Sequence, residues 1–510
     1  MGKYRNNTID VIKGLAILSV VAFHLGLFKW GYWGVDVFYV IAGYFAIRGI
    51  RPGFLRSRFS RLMPIVVAVT GVCFIVGIAF YLPIQMMDIC RNAVCACIFA
   101  LNFDMWRTAN DYWATSNELN PMMHLWYLAT LMQFYVALAA IYLRGEKRWT
   151  KPVIIFAGII SLGLCLFKVG DIGMRYYLLP WRFWEFTLGA VLLWWPQLLK
   201  PFSRIKCDTA MWKILAVPGV MSLSIYIWHQ PLFAFARYMH SGEFSLLAVT
   251  VMSVVLAGIS WVSFKYLERK IKSKFGCKVL SIGYVVVLLG PLTVYLNSGV
   301  SHDIPELGIE FGYHEHGFIY KYNDRIRAYD GDFANDGRIK VLLVGDSYAR
   351  DWGNVLLESS ASNRIDLVYC VGNVPDKRRG LIDEADVLFF STMRESPLPA
   401  NLKTDRTWVV GTKYYGFAGW VYTRRFFSGY YDMTVALPDD IRERNTKDRV
   451  RYGGRFIDMI AMVEAGDGCV RCFTDDKRLF TIDYGHLSRP GAQSYARMIE
   501  ENGILKKVLK

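Results

Sequence analysis

Residues 9–47 read "IDVIKGLAILSVVAFHLGLFKWGYWGVDVFYVIAGYFAI" and contain two long apolar runs. His24 lies in the first run, and Asp36 lies at the start of the second. An ionisable side chain inside a membrane span is costly, so it usually faces the interior of the helix bundle and marks a functional path. The alternative is a polar residue that is only hydrogen-bonded inside the bundle. The stretch therefore predicts membrane helices, and we favour a functional role for His24.

Apolar runs of this kind recur along the first 300 residues. The chain has 510 residues, of which 54% are hydrophobic, which is too apolar for a soluble protein. Since a membrane helix needs about 20 predominantly apolar residues, we predict a polytopic α-helical membrane domain of about nine to eleven helices. A shorter run over 88–103 carries Arg91. The nine predicted spans are 12–28, 33–50, 62–82, 124–143, 152–168, 175–197, 222–238, 245–264 and 278–296.

The basic residues follow the predicted topology. The net charge is +16, but the lysines and arginines are concentrated in alternate short loops between the spans, so the charge does not indicate nucleic-acid binding. Because basic loops stay on the cytoplasmic side, the N-terminus is predicted to be cytoplasmic. If 88–103 dips into the membrane and returns, or lies along it, the tail after Val300 is outside.

The character of the sequence changes near residue 297. Long apolar runs stop, residues 301–338 are polar and rich in Gly and Asp, and short apolar runs then alternate with helical stretches. Runs such as "KVLLVG", "RIDLVYCVG", "ADVLFFS" and "TWVVGT" are typical of buried parallel strands. We predict a membrane domain over 1–296, a linker or an extension packed on the next domain over 297–339, and a soluble α/β domain with a parallel sheet over 340–510.

One predicted strand leads directly into a serine. In "KVLLVGDSYARDW" Ser347 lies at a strand-to-helix turn, where free N–H groups of the helix can stabilise an oxyanion. The serine needs a base, and "TIDYGHLSRPGAQSYA" offers Asp483 and His486. His486 would take the proton of Ser347, and Asp483 would fix the tautomer of His486. The alternative is that Gly-Asp-Ser is only a turn and a helix cap.

Together, these two motifs closely resemble the SGNH (GDSL-like) hydrolase family over roughly residues 340–510. The resemblance implies that Ser347 is the nucleophile, His486 the base and Asp483 its partner. The family also uses a Gly and an Asn as oxyanion donors, but the third strand here ends in "LFFSTMRES", without the G-x-N-D of the family. Gly372 and Asn373, after the second strand, are the candidates for part of the oxyanion hole.

Polar residues around His24 form a second candidate site. Lys13 lies eleven residues before His24 on the same predicted helix, close to three turns, so the two can share a face. Arg58 and Arg61, in "FLRSRFSRLMP", lie on one side of a helical turn and can clamp an anion. The alternative is that these arginines only reflect the topology. Asp36 is predicted to pair with His24 and to raise its basicity.

The membrane part is similar to acyltransferase family 3 of integral membrane acyltransferases over about residues 9–275. "KGLAILSVVAFH" has Lys13 where the family has an arginine, "GVDVFYVIAG" has Ala42 in place of a serine, and Arg58 and Arg61 form an R-x-x-R. The remaining blocks are "HLWYLATLMQFY" from His124, with Leu131 and Met132 in place of an acidic pair, "WRFWEFTLG" with Arg182 and Glu185, "SLSIYIWHQPL" with Ser224, Tyr226, His229 and Pro231, and "WVSFKYLERKI" with Glu268.

Fusion of such a membrane domain to an outer SGNH domain is known in bacterial O-acetyltransferases of cell-surface glycans. The resemblance therefore implies transfer of an acyl group, foremost acetyl from cytoplasmic acetyl-CoA, across the inner membrane to hydroxyls of O-antigen or another polysaccharide. It implies acyl-CoA, a glycan or glycolipid acceptor and membrane lipid as partners, with no nucleic acid, no metal and no permanently bound cofactor. The alternatives are a membrane-anchored SGNH carbohydrate esterase, and a transporter or flippase for an acylated or glycosylated lipid.

The resemblance also implies roles for the residues of the membrane site. The cations of Lys13, Arg58 and Arg61 would hold the CoA phosphates. His24 would act as general base or accept the acetyl group transiently, with Asp36 orienting it. Ser347, in a periplasmic C-terminal domain, would deliver the acetyl group to a sugar hydroxyl. The residues expected to shape the membrane cavity are His124, Arg182 and Glu185.

Overall fold

The computed structural model describes residues 7–109, 118–144, 147–198, 210–240, 242–268, 274–312, 318–334 and 336–509. The chain divides into two compact units. The first comprises Met1–Ala79 and Gln85–Gly299, and the second comprises Phe80–Ile84 and Val300–Lys510.

The first unit is built from helices. Several are broken into two pieces: α4 with α5, α8 with α9, and α10 with α11, the last pair bent by 66°. Counting each broken pair once gives ten helical segments in the part of the chain that the structure describes, which agrees with the predicted number. The helices are α1 (Asn7–His24), α2 (Trp33–Gly49), α3 (Phe54–Phe80), α4 (Pro83–Cys97), α5 (Leu101–Thr108), α6 (Trp126–Arg144), α7 (Lys147–Leu166), α8 (Ile172–Tyr177), α9 (Leu179–Trp194), α10 (Ala210–Val220), α11 (Ser222–Met239), α12 (Leu246–Ser263) and α13 (Lys274–Leu296).

These helices confirm the membrane class of the first unit. Five of the described helices are long and apolar enough to cross a membrane, or six if α10 and α11 count as one span. All nine predicted spans coincide with helices, although α2 and α9 contain only 17 and 16 residues. The 88–103 run is not one helix, because it breaks between α4 and α5. Arg91 is accommodated there by ion pairs with Asp88 (2.7 Å) and Asp104 (2.9 Å).

The first helix ends earlier than the sequence predicts. His24 is its last residue rather than one in the middle of a span. Gly26 has a φ of 76°, in the left-handed region, and the N–H of Leu27 donates back to the carbonyl oxygen of Ala22 (2.8 Å). This is the geometry with which a glycine closes a helix, so His24 lies at a helix terminus.

Two glycines bring α2 and α9 into direct backbone contact. A Cβ atom on Gly43 would lie 2.2 Å from the carbonyl oxygen of Phe186, and one on Gly189 would lie 2.0 Å from that of Val40. Small residues of this kind let membrane helices approach closely. The contact places Asp36, at the start of α2, beside Arg182 near the start of α9.

The second unit contains a five-stranded sheet in the order β2-β1-β3-β4-β6, and every pairing in it is parallel. The four predicted strands are all present, and their side chains are almost continuously buried, as expected for strands covered on both faces. A small antiparallel sheet, β5-β8-β7, was not predicted. The strands are β1 (Ile339–Gly345), β2 (Ile365–Val371), β3 (Val387–Ser391), β4 (Thr407–Val410), β5 (Thr434–Ala436), β6 (Phe456–Ile457), β7 (Glu464–Gly466) and β8 (Cys469–Arg471).

Helices and an N-terminal extension complete this unit. Between the two alternatives for 297–339, the structure shows an extension packed on the domain, because Ile304, Leu307 and Ile326 are buried in its cores. The helices are α14 (Phe318–Asp324), α15 (Ser347–Glu358), α16 (Gly380–Glu384), α17 (Ala418–Thr423), α18 (Asp439–Tyr452), α19 (Arg489–Glu501) and α20 (Ile504–Val508).

Candidate active sites

Ser347, His486 and Asp483 form a hydrogen-bonded chain in the second unit. The Nε2 atom of His486 lies 2.8 Å from the Oγ atom of Ser347, and its Nδ1 atom lies 2.5 Å from the Oδ2 atom of Asp483. The other carboxylate oxygen of Asp483 accepts the backbone N–H groups of Gly485 and His486 (2.9 Å each). The loop therefore holds the imidazole with one nitrogen toward the acid and the other toward the serine, as a nucleophile–base–acid triad requires.

The strand-to-helix turn explains why Ser347 points into this site. Strand β1 ends at Gly345, whose φ is 143°, and a Cβ atom there would lie 1.9 Å from the carbonyl oxygen of Ser391. Only glycine fits this close approach between β1 and the end of β3. Asp346 then caps α15 by accepting the N–H of Tyr348 (2.9 Å), and it also accepts the N–H of Met393 (2.7 Å). Ser347 thus begins a helix at the carboxyl edge of the sheet.

The protonation of the triad follows from burial and pairing. Burial alone would lower the pKa of His486, but the hydrogen bond to Asp483 and its negative charge outweigh it, and the pKa is raised above the ordinary 6.5. Burial alone would raise the pKa of Asp483, but its bonds to His486 and Gly485 lower it. The pair is therefore arranged to keep the carboxylate ionised and to stabilise an imidazolium.

The backbone amides of the two predicted oxyanion donors, Gly372 and Asn373, donate to carbonyl groups of the fold. The N–H of Gly372 donates to the carbonyl oxygen of Gly345 (2.9 Å), and the N–H of Asn373 donates to that of Val371 (2.8 Å). The side-chain oxygen of Asn373 accepts the N–H of Val374 (2.8 Å), which keeps it within the loop. Both backbone amides are therefore already committed to carbonyl groups, a local arrangement that spacing along the sequence does not reveal.

In the first unit, the three predicted cations line one cavity of about 330 Å³. Lys13 comes from α1, and Arg58 and Arg61 come from the first turns of α3. Arg58 lies over the rings of Phe54 (4.9 Å) and Tyr135 (5.2 Å), which orient its guanidinium group. Positive charges on an aromatic wall suit a phosphorylated ligand with an apolar arm.

Asp36 does not pair with His24. Its Oδ1 atom lies 2.7 Å from the Nη1 atom of Arg182, and the same nitrogen lies 2.8 Å from Glu185. Arg182 and Glu185 are buried, so a cation is needed to balance the carboxylates. The prediction failed because Asp36 pairs with a cation on α9, 146 residues away in sequence.

His24 instead belongs to a group of three histidines. Its ring lies 5.0 Å from that of His229, and the ring of His124 lies 5.4 Å from that of His229. The Nε2–H of His124 donates to the carbonyl oxygen of Ile227 (3.0 Å), and the Nδ1–H of His229 donates to that of Tyr226 (2.6 Å). The remaining nitrogen of each of these two buried rings has no partner among the described residues. Both rings are thus fixed as tautomers with an open proton acceptor.

Tyr226 connects the histidine group to the cavity. Its ring lines the cavity, and its hydroxyl group donates to the carbonyl oxygen of His124 (2.6 Å). His124, predicted to shape the cavity, does not line it and contacts Tyr226 through its backbone carbonyl group. Arg182 and Glu185, predicted for the same task, stabilise the α2–α9 contact and do not line the cavity.

Sequence reasoning gave no role to three residues that the structure places in these sites. His229 carries the same signal as His24, an ionisable group in an apolar helix, and was noted only as part of a motif. Asp351 and Lys413 form a buried ion pair (3.0 Å) next to the triad. The position of Lys413 directly after the apolar run "TWVVGT" is the feature of the sequence that could have identified it.

Comparisons with known proteins found several similar chains. Residues 6–207 match the family model described as "Acyltransferase domain". The protein named membrane-bound transacylase BcsY, from Komagataeibacter xylinus, is 28% identical over 333 residues, covering 52% of this chain and 83% of that protein. O-acetyltransferase OatA from Staphylococcus aureus strain NCTC 8325 is 22% identical over 346 residues, so this chain spans 57% of its length. The solved periplasmic domain of a lipopolysaccharide acetyltransferase from Salmonella Paratyphi A matches 36% of this chain and 95% of its own, with 15% identity and a TM-score of 0.26.

Proposed function

We propose a function from the match of residues 6–207 to the acyltransferase domain model and from similar proteins that are named transacylases and O-acetyltransferases. The chain transfers an acyl group, acetyl from acetyl-CoA, to hydroxyls of a cell-surface glycan such as O-antigen or another polysaccharide. The observation that carries the proposal is the cavity in which Lys13, Arg58 and Arg61 come together.

The donor binds in this cavity. The phosphates of acetyl-CoA contact the three cations, which carry the charge that a polyanion requires. Arg58 and Arg61 offer planar two-pronged donors, whereas Lys13 supplies a point charge. The aromatic side chains of Phe45, Tyr127 and Tyr135 line the same space and suit the pantetheine arm. Acetyl-CoA is a substrate here, and no resident cofactor is part of the proposal.

The histidine group performs the chemistry of the membrane site. A ring nitrogen of His24 attacks the acetyl carbon of the thioester, so that His24 accepts the acetyl group transiently. The carbon–sulfur bond of the thioester breaks, and CoA leaves as a thiolate that takes up a proton. The open acceptor nitrogen of His229, with its ring 5.0 Å from that of His24, receives the proton from His24 and returns it to the leaving thiolate.

The triad of the second unit completes the transfer. The Oγ atom of Ser347 attacks the acetyl carbon as His486 takes its proton. The bond between the acetyl carbon and the His24 nitrogen breaks, the acetyl group becomes bound to Oγ, and the leaving imidazole of His24 takes up the proton. A sugar hydroxyl then attacks that ester while His486 removes its proton and returns one to Ser347. Asp483 stabilises the imidazolium during both steps. The 2.8 Å contact between Ser347 and His486 supports this role.

The location of the two chemistries belongs to the same proposal. The basic loops favour a cytoplasmic N-terminus in the inner membrane of a bacterium, and a second unit on the periplasmic side. In that orientation the cavity faces cytoplasmic acetyl-CoA, and the triad faces the glycan. The acceptor that reaches it is a polysaccharide or a glycolipid intermediate.

The test is to incubate the purified full chain with isotopically labelled acetyl-CoA, without acceptor, and to map labelled peptides by mass spectrometry. Wild type is compared with His24→Ala and Ser347→Ala. The matched controls are His240→Ala and Ser360→Ala, both at exposed positions. We expect label on the Ser347 peptide that disappears in His24→Ala and stays in both controls.

Other outcomes would change the proposal. Label on His24 alone would place the covalent chemistry in the membrane unit and leave the triad for acceptor handling. Hydrolysis of glycan acetyl esters without consumption of acetyl-CoA would identify an anchored esterase instead. Movement of a glycolipid between leaflets without either reaction would identify a flippase.

A further inference from the structure

A buried ion pair lies beside the triad in the second unit. The Nζ atom of Lys413, in the loop after β4, lies 3.0 Å from the Oδ2 atom of Asp351 in α15. The side chains are only 3% and 1% exposed. Such a pair costs desolvation free energy, and apolar residues of similar volume are often as stabilising, so fold stability alone does not account for it.

The carboxylate of Asp351 joins the two elements that carry the triad. It lies one helical turn after Ser347 on the same face of α15, and its Oδ2 atom accepts the N–H of Leu487 (3.1 Å), the residue after His486. Its Oδ1 atom accepts a hydrogen bond from Asn323 (2.6 Å), which also donates to the carbonyl oxygen of Ser347 (3.0 Å). One side chain therefore fixes the serine helix relative to the histidine loop.

The ammonium group of Lys413 also contacts Tyr348, the residue after Ser347, whose ring packs against His486. It lies 3.2 Å from the centre of the Tyr348 ring, whose edge-on contact with the imidazole of His486 has a centroid distance of 5.8 Å. The hydroxyl group of Tyr348 donates to the carbonyl oxygen of Lys413 (3.3 Å). A Cβ atom on Gly485 would lie 2.3 Å from this hydroxyl oxygen, so Tyr348 packs directly under the histidine loop.

The geometry points to a positioning role. We infer that Lys413 and Asp351 are a positioning pair of the Ser347 site, which holds His486 in line with Ser347 and balances the charge at its imidazole. The inference rests on the proposed function, in which His486 is the base of Ser347. Neither residue is assigned contact with a substrate.

Balance means that the two charges act on His486 in opposite directions. The groups that face the imidazole are Asp483 on its own loop, the ring of Tyr348 on α15, and the charges of Asp351 and Lys413. Asp351 raises the pKa of His486, and Lys413 lowers it. Removing one charge therefore has to shift the titration of His486 in the direction set by the charge that stays.

The experiment measures the titration of His486 in the full chain purified in detergent. Exchange of the C2 hydrogen of each histidine for deuterium, followed by mass spectrometry across pH, gives a midpoint for His486 without requiring turnover. The rate at which a fluorophosphonate probe labels Ser347 is followed over the same pH range. The variants are Lys413→Met, Asp351→Asn and the double variant. The control pair is Lys340→Met and Glu384→Gln, a partly exposed ion pair between β1 and α16 (3.2 Å).

We expect the midpoint of His486 to rise in Lys413→Met and to fall in Asp351→Asn. The double variant returns toward wild type, and both control variants leave the midpoint in place. On the acid side of the profile, labelling of Ser347 is severalfold slower in Lys413→Met than in wild type, because less His486 is neutral.

Unchanged midpoints would overturn the inference. So would a shift in the same direction in both single variants, or a loss of folded protein that the double variant does not restore, since each indicates a structural pair only. Failure of the proposed function looks different. In that case wild-type Ser347 is not labelled by the probe, while the opposite midpoint shifts of His486 still report the positioning pair.

Discussion

His24 and His486 are both predicted to be bases with a carboxylate partner, but only one of them has it. Asp483 lies three residues before His486 on the same loop, and the loop itself closes the 2.5 Å contact. Asp36 lies twelve residues after His24 on another helix, and it forms an ion pair with Arg182 (2.7 Å). A partner that is close in sequence on a short loop is fixed by local geometry, whereas one on a separate helix depends on what else that helix meets.

The largest expected effect is the difference in activity loss between Asp483→Asn and Asp36→Asn. Asp483→Asn leaves His486 without its acceptor and favours the wrong tautomer, so labelling of Ser347 by a fluorophosphonate should fall on the order of a thousandfold. Asp36→Asn should change acetyl transfer only modestly, because Arg182 keeps Glu185 as a partner. Initial rates of the two variants, each against wild type, provide the measurement. Equal losses in both would restore Asp36 as the partner of His24.

The next effect concerns the ion pairs that Arg182 forms with Asp36 and Glu185. Arg182→Met leaves two carboxylates of the first unit without their cation, which should destabilise it by about 3–5 kcal/mol. The measurement is the thermal unfolding of the full chain in detergent. Arg107→Met, at a side chain that is 60% exposed, is the control with little expected change. Adding Glu185→Gln and Asp36→Asn to Arg182→Met should recover part of the stability, and no recovery would argue against a charge effect.

A moderate effect is expected at the cavity. Arg58→Ala removes a charge-assisted contact with a phosphate group, so the KM for acetyl-CoA should rise about tenfold to a hundredfold, with a smaller change in kcat. Arg56→Ala, in the same turn of α3 but exposed and not lining the cavity, is the matched control. Steady-state kinetics with membranes or purified chain measure both. If the KM rises equally in Arg56→Ala, the effect comes from the overall positive charge at the start of α3 and not from a contact in the cavity.

The smallest effect is a shift along the pH axis. His486 accepts a proton only when neutral, and its pKa is raised above 6.5 because Asp483 outweighs the burial that lowers it. Labelling of Ser347 should therefore decline as pH falls through a value above 6.5, earlier than for an ordinary histidine. The rate measured across pH tests this. A decline that sets in only below 6.5 would mean that Asp483 does not dominate the environment of His486.

Much of the molecule could be predicted because its signals are local. The membrane spans follow from apolar runs that need no partner to be recognised, and the strands β1 to β4 follow from short buried runs. Lys13, Arg58 and Arg61 line one cavity, but helical spacing relates only the two arginines to each other, because Lys13 comes from another helix. The end of α1 at His24 was missed because a single left-handed glycine, Gly26, decides it.

The sequence by itself determined the two-part architecture and the residues of the triad, because hydrophobic runs and a loop of four residues from Asp483 to His486 are properties of neighbouring residues. Only the tertiary structure decided which charged groups pair: Asp36 with Arg182, and Asp351 with Lys413 between the two elements of the triad. It also decided that the ring of His229 lies next to that of His24. These partners come from segments far apart in the chain. Which of several charged groups ends up in contact is set by the packing of whole helices and strands, and that packing has no signature within one stretch of sequence.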